Sequence, residues 1–320
     1  HHPYGKKPQI CIAETGLRVI KRLSNSLLSS VLLSMAIFAV HAYATGRLSS
    51  LFVLESVALL AMGLALDQVC RRFRIIGSQS HFVLVIFSLL SCVVFPVLSL
   101  KALVVGLIWL LAVYFGFASW EDQEQSRSNL MAVGVLIGIA QTMDEYAVFL
   151  FIPFLILFYQ NAVLKWSYYL LSMLYFVLVV GIYLTGLYLT DRSGMMIDVI
   201  PIPRFDYSLF DSPHVRILLP VIGLMIVVHL LNLRNYAFRY PNRSVNINIL
   251  FAVQLVIALL LLALTSAPSL FILLTLPASI LLAVGFSFKH DKPLVQAAFI
   301  SLLVCSLAVS LLFSDIVLIF

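Results

Sequence analysis

Charge is what this chain has least of. Only 11% of its 320 residues are Asp, Glu, Lys or Arg, against roughly 25% in an ordinary soluble domain. Hydrophobic residues take 62%, and mean hydropathy is +1.08. No single water-soluble core absorbs that much apolar sequence and still leaves a polar skin. The shortage of charge therefore excludes a soluble enzyme, a DNA-binding protein and a disordered chain. Cysteine is scarce too. Cys11, Cys70, Cys92 and Cys305 are scattered and form no CxxC pair, so small buried hydrophobes are a better reading than a disulfide framework or a metal site. There is no Walker loop, no GxGxxG and no HExxH, and no nucleotide or zinc-peptidase chemistry is implied. No cleavable signal peptide is evident. His1 and His2, at a start lacking Met, read as a tag remnant and carry no functional weight.

What is present is a succession of apolar runs, and their solvent is lipid. The expected fold is all-α: a polytopic transmembrane helix bundle of about 10–11 membrane segments. Residues 1–25 form a cytoplasmic N-terminal segment, in which Ile10, Ala13, Leu17 and Ile20 recur at helical spacing among Lys6, Lys7, Arg18, Lys21 and Arg22. That pattern predicts an amphipathic helix over 9–23 lying on the cytoplasmic membrane surface, or else an extension of the first span. Residues 26–320 form one transmembrane domain. Its runs fall at 26–45, 51–69, 81–99, 102–119, 130–143, 146–159, 167–189, 217–233, 249–265, 269–288 and 294–313. The second ends in Arg71-Arg72-Phe73-Arg74, a strong interfacial stop.

The stretch 130–159 is too long for one crossing of roughly 20 residues, and Asp144-Glu145 interrupts its middle. A carboxylate at the bilayer centre costs about 2.5–3.5 kcal/mol on the insertion scale. Two short segments meeting at a turn avoid that cost, as a re-entrant pair or as two spans in a thinned or protein-lined region. Positive charge gives the same reading. With a cytoplasmic N-terminus and an out-and-back 130–159, only Arg47, Lys101, Arg192, Arg204 and Arg216 of the 20 basic residues fall outside. A single crossing weakens the asymmetry, so the positive-inside rule favours the hairpin. Asp144-Glu145 and the loop 190–215 then share the outer face.

Three groups of residues carry candidate chemistry. Asp144 and Glu145, two acids at the lip of a cavity, can serve as general base or hold a divalent metal for a phosphate-bearing substrate; helix-stopping charges facing water are the plain alternative. The outer loop carries Arg192 and Arg204 with Asp198, Asp206 and Asp211, interleaved with Phe205, Tyr207 and Phe210. Arg suits phosphate through its planar donor fork, so this loop is a candidate cover for a lipid-phosphate headgroup, or else an interfacial cap. Glu55 has no evident local partner in its run and is a candidate for a cavity-facing acid or a proton pathway, with snorkelling to the outer interface as the equal alternative. Asp67 and Arg71 read as a plain i,i+4 ion pair. His41, His81 and His229 lie on different segments and read as structural. Gly134-Val-Leu-Ile-Gly138 matches the small-residue helix-packing pattern. Asn242-Arg-Ser244 is a sequon on the inner side, and Asp211-Ser-Pro-His214 has triad residue types without triad geometry; neither is assigned chemistry.

The early Arg-rich stop, the turn Phe95-Pro96, the broken hairpin at Asp144-Glu145, the long outer loop, the basic inner loop and the closing Ser266-Ala-Pro-Ser269 … Thr275-Leu-Pro-Ala-Ser279 hairpin together resemble a domain-of-unknown-function family of bacterial polytopic inner-membrane proteins. The layout is distantly similar to GT-C glycosyltransferases, multispan enzymes using polyprenyl-phosphate sugars on the outer face. That resemblance implies a GT-C-like bundle with a catalytic acid in the first outer loop. Here the loop is only Thr45–Ser50 and has no acid; Glu55 is the nearest carboxylate.

The expectation is an integral protein of the bacterial inner membrane serving cell-envelope assembly, as a GT-C-like transferase with lipid-phosphate-linked donors or an inactive relative. A non-catalytic scaffold or anchoring subunit of a membrane complex is the alternative, and a transporter the third. In the enzymatic version Asp144, Glu145 and Glu55 are the catalytic candidates, and Arg192, Arg204, Asp198 and Asp206 bind substrate. No cofactor is assigned beyond a divalent metal as a candidate. The expected partners are membrane lipids, polyprenyl phosphate and other membrane subunits, with no nucleic acid.

Overall fold

The structure is a computed structural model that describes residues 26–45, 50–76, 81–94, 99–121, 124–160, 166–192, 242–265 and 269–288, with isolated positions at 194, 199, 220, 223, 267, 302 and 304. The amphipathic segment 9–23, the turn Phe95-Pro96 and, apart from those isolated positions, the runs 217–233 and 294–313 lie outside the described residues. The described elements are helical, with no strand among them: α1 Leu27–Thr45, α2 Ser50–Arg72, α3 Phe82–Val94, α4 Leu100–Glu121, α5 Ser126–Met143, a 3-10 turn Ala147–Leu150, α6 Phe151–Gln160, α7 Trp166–Leu189, α8 Asn242–Thr265 and α9 Ser269–Phe288. Among the described residues four stretches are long and apolar enough to cross a membrane: Phe52–Arg72, Leu100–Glu121, Trp166–Leu189 and Ile247–Thr265. At 1.5 Å per residue, a 20-residue helix already spans about 30 Å, the hydrocarbon thickness.

The chain divides into two compact units. The first contains 1–96, 210–245 and 278–320; the second contains 97–209 and 246–277.

In the first unit α3 is the buried element. Its sequence is apolar on every side, and all thirteen residues from Phe82 to Val94 are buried, as expected of a helix with no polar face. Ser88 inside it satisfies its hydroxyl by donating to the Leu84 carbonyl at 2.9 Å. α1 and α2 pack against α3. Gly63 on α2 lets Leu84 and Phe87 come close: a Cβ there would stand 2.8 Å from Leu84 Cδ1 and 2.9 Å from Phe87 Cδ1.

α2 ends in a Schellman closure. The Arg74 N–H donates to the Arg71 carbonyl at 3.1 Å and the Ile75 N–H to the Cys70 carbonyl at 2.9 Å. The closure needs a left-handed residue, and Arg74 takes that place with φ 53°. Left-handed backbone costs an L-residue about 1–2 kcal/mol. The apolar partner of the motif is supplied by Ile75, which is fully buried. Arg74→Gly is therefore expected to keep the turn and to hold or raise stability by up to about 1 kcal/mol, read from thermal unfolding in detergent. α7 closes in the same way. Asp191 sits at φ 54°, its N–H donating to Tyr188 O and the Arg192 N–H to Leu187 O.

In the second unit α5 packs between α4 and α7. Gly134 of α5 lies against the Ser172 backbone of α7, and Gly138 lies against Phe176 and Val179. The paired numbers rise together, so α5 and α7 run parallel. Parallel neighbours in sequence need a returning strand of chain between them. The 3-10 turn and α6 supply it: the Phe151 ring meets Phe176 at 5.0 Å, and Phe154 lies against Gly116 of α4. The stretch 130–159 is thus two segments broken at Asp144. α4 and α8 share an aromatic core in which Phe251 meets Trp109 at 6.3 Å and Phe117 at 5.9 Å, both edge-on. Such pairs contribute about 0.5–1.5 kcal/mol each beyond their buried area. α7 lies at the outside of this unit, with 11% of its apolar window buried.

Candidate functional site: the acid turn of the second unit

α5 stops at Met143 because Asp144 leaves helical geometry, with φ −142° and ψ 120°. Its N–H still closes the helix onto Ala140 O at 2.8 Å, while its Oδ1 accepts the Tyr146 N–H at 2.9 Å and its carbonyl accepts the Ala147 N–H at 3.1 Å. This is an Asx turn, the geometry that lets a short carboxylate substitute for backbone partners at a break. Asp144 is only 6% exposed. Its neighbour Glu145 is half-buried, beside the buried Tyr146.

Gln141, one turn earlier, holds the break together. Its Nε2 donates to Glu145 O at 2.9 Å and to Val199 O at 2.7 Å, and its Oε1 accepts the Val148 N–H at 2.6 Å. One amide thus satisfies three backbone groups that the broken helix and the following loop leave open. Val199, itself buried, is the point at which the long loop after α7 is tied to the turn.

Below the turn a narrow cleft runs between the 3-10 turn, α6 and α8, from Tyr146 past Leu150 and Pro153 to Gln254 and Leu273. Its cavity volume is about 10 Å³, room for about one water. Gln254 is 2% exposed, and neither atom of its amide has a partner among the described residues.

Asp144 and Glu145 are adjacent in this turn. Because α5 and α7 run parallel, their C-terminal ends share one side of the unit, and Arg192 lies exposed on that side at the close of α7. Arg204, Asp198 and Asp206 lie outside the described residues, as does Asp211. Glu55 belongs to the first unit, half-buried on α2 and engaged in an interaction. Among the described residues no three His, Cys, Asp or Glu side chains converge on a point that could hold a metal ion.

In the first unit Asp67 forms the i,i+4 pair with Arg71 at 3.1 Å. The same oxygen, Oδ2, also takes Nδ1 of His81 at 2.7 Å. His41 is buried with its ring 6.2 Å from Phe52. His229 lies outside the described residues.

Sequence reasoning missed Gln141 and Gln254. A signal was available: each is an amide in the middle of an otherwise apolar run, and intramembrane polar groups need partners. Being uncharged, they stood out less than the acid pair beside Gln141.

Helices of crossing length, an apolar surface and a broken hairpin with buried polar groups define an integral membrane protein. The chain belongs to a family of unknown function, DUF6427, whose model matches residues 17–319. No curated protein and no solved structure matches it.

Proposed function

We propose that this protein serves cell-envelope assembly in the bacterial inner membrane as a lipid-handling relative of the GT-C bundle whose acid turn is architectural rather than catalytic. The observation that supports this is the use of Asp144: it is buried, and its Oδ1 accepts the Tyr146 N–H to cap the break. A general base needs its lone pairs directed at substrate. The outer-face placement of the turn, the N-terminus in the cytoplasm and polyprenyl phosphate as the lipid against the loop after α7 belong to the same proposal.

Asp144→Asn separates the two roles. Asn retains an oxygen for the Tyr146 N–H but removes the charge. The proposal expects Asp144→Asn to fold and to complement a deletion strain normally. Asp144→Ala, which loses the cap, is expected to cost about 1–2 kcal/mol of stability. Loss of complementation by well-folded Asp144→Asn, shared by Glu145→Gln, would restore the catalytic reading, in which a GT-C-like transferase uses these acids on a lipid-linked donor.

A second reading, an anchoring subunit of a membrane complex, draws on α7. Leu170, Leu174, Val177, Leu178 and Ile182 are exposed along it. Lipid or a partner helix can cover that face. Partner chains that co-purify with the wild type and are lost on polar substitution of Leu174 and Leu178 would favour this reading.

A further inference from the structure

We infer that the cleft below the acid turn is a water-binding site, in which Gln254 of α8 holds one water molecule inside an apolar span. Gln254 is 2% exposed, and neither its Oε1 nor its Nε2 has a hydrogen-bond partner among the described residues. It lies within the crossing stretch Ile247–Thr265, about 10 Å from one end and about 16 Å from the other at 1.5 Å per residue. That depth is hydrocarbon, where a polar group must find its partner inside the protein.

The cleft is where the amide finds one. Gln254 forms part of its wall, with Tyr146, Phe149 and Leu150 of the broken hairpin and Leu270 and Leu273 of α9. The cavity volume of about 10 Å³ suits a single water and is far too small for a lipid chain or a solute. An amide open at both atoms asks for a ligand that donates and accepts at once, since Oε1 needs a donor and Nε2 an acceptor. A metal cation meets only the first need and a simple anion only the second. Water meets both and fits the space. Buried waters make about three hydrogen bonds apiece. The two atoms of the Gln254 amide and Tyr146, the other residue of the described wall with a polar side chain, are the groups there to take them. The water then joins α8 to the 3-10 turn, as Gln141 joins the loop after α7 to the same turn.

The test is radiolytic footprinting of the full chain in detergent. An X-ray pulse turns a bound water into hydroxyl radical, and the side chains beside it are oxidised. Leu273 lines the cleft and Leu255 does not, yet they are almost equally buried, at 2% and 3% exposed. In the wild type Leu273 is expected to be oxidised several-fold faster than Leu255. Gln254→Met conserves volume and removes both polar atoms, and is expected to bring Leu273 down to the rate of Leu255. Its unfolding midpoint is expected to stay within about 2 °C of the wild type, because the amide and its water are lost together. Equal oxidation of the two leucines in the wild type overturns the inference, and this comparison does not depend on the variant's folding. An excess at Leu273 that survives Gln254→Met overturns it as well. So does a midpoint raised by more than about 2 °C, which would show that the amide stands unpaired.

Discussion

Gln141→Met is expected to lower the unfolding free energy by about 2–3 kcal/mol. Methionine conserves the volume of the side chain, so no cavity is made and the loss reports the hydrogen bonds. Those bonds end on Glu145 O, Val199 O and the Val148 N–H. Each is a backbone group that the broken helix cannot satisfy itself. In water such a group left buried costs about 1–3 kcal/mol. In a membrane the unfolded reference finds partners as well, which holds the total nearer the lower figure. Thermal unfolding in detergent measures the effect. A second readout is specific: limited proteolysis near Val199 should quicken, since Gln141 is its tie to the turn. Unchanged stability with unchanged proteolysis would show that the break holds itself.

Gly134→Ala is expected to be as damaging, by about 3 kcal/mol, for a steric reason. A Cβ on Gly134 would collide with the Ser172 carbonyl oxygen and stand 2.9 Å from its carbon and 3.1 Å from its Cα. Backbone cannot rotate away, so α5 and α7 must separate along their whole contact. Gly116→Ala tests the contrast. Its Cβ would meet the Phe154 ring at 2.6 Å, and a ring edge can turn aside. Gly181→Ala meets nothing and is expected to stabilise α7 by up to about 1 kcal/mol. Unfolding midpoints of the three variants should therefore rank Gly181→Ala above Gly116→Ala above Gly134→Ala. Equal midpoints for the first and last would mean that the two helices are not in backbone contact.

Much of the helix layout was legible from composition alone. The runs read at 26–45, 102–119 and 167–189 became helices at Leu27–Thr45, Leu100–Glu121 and Trp166–Leu189. Apolar length and flanking charge set such limits locally, with no need of a partner. The break at Asp144 was legible for the same reason, because two acids within an apolar stretch carry a large insertion cost wherever the rest of the chain lies. The Asp67–Arg71 pair was legible because four residues on a helix fix the neighbour.

The candidate site was harder to read. Asp144 and Glu145 were found as charges, but the sequence contains nothing that says whether a carboxylate faces a substrate or its own backbone. Only the turn geometry showed Oδ1 on the Tyr146 N–H. Gln141 was overlooked because its most telling partner, Val199, lies 58 positions away. His81 read as an isolated histidine because its partner lies 14 positions back, inside α2. Gly134-Val-Leu-Ile-Gly138 was recognisable as a packing face, but that its mate is α7, and that the two run parallel, came from the fold.

By itself the sequence determined that this chain lives in a membrane, where several of its described helices begin and end, and where one stretch must break. Those properties follow from transfer free energies that act residue by residue. Tertiary structure decided what the polar groups are for: a cap at Asp144, a clasp at Gln141, an anchor at Asp67 and His81. In a medium that offers no water, a polar group takes its role from whichever partner comes within 3 Å, and that partner is chosen by how the helices pack, not by the order of residues along the chain.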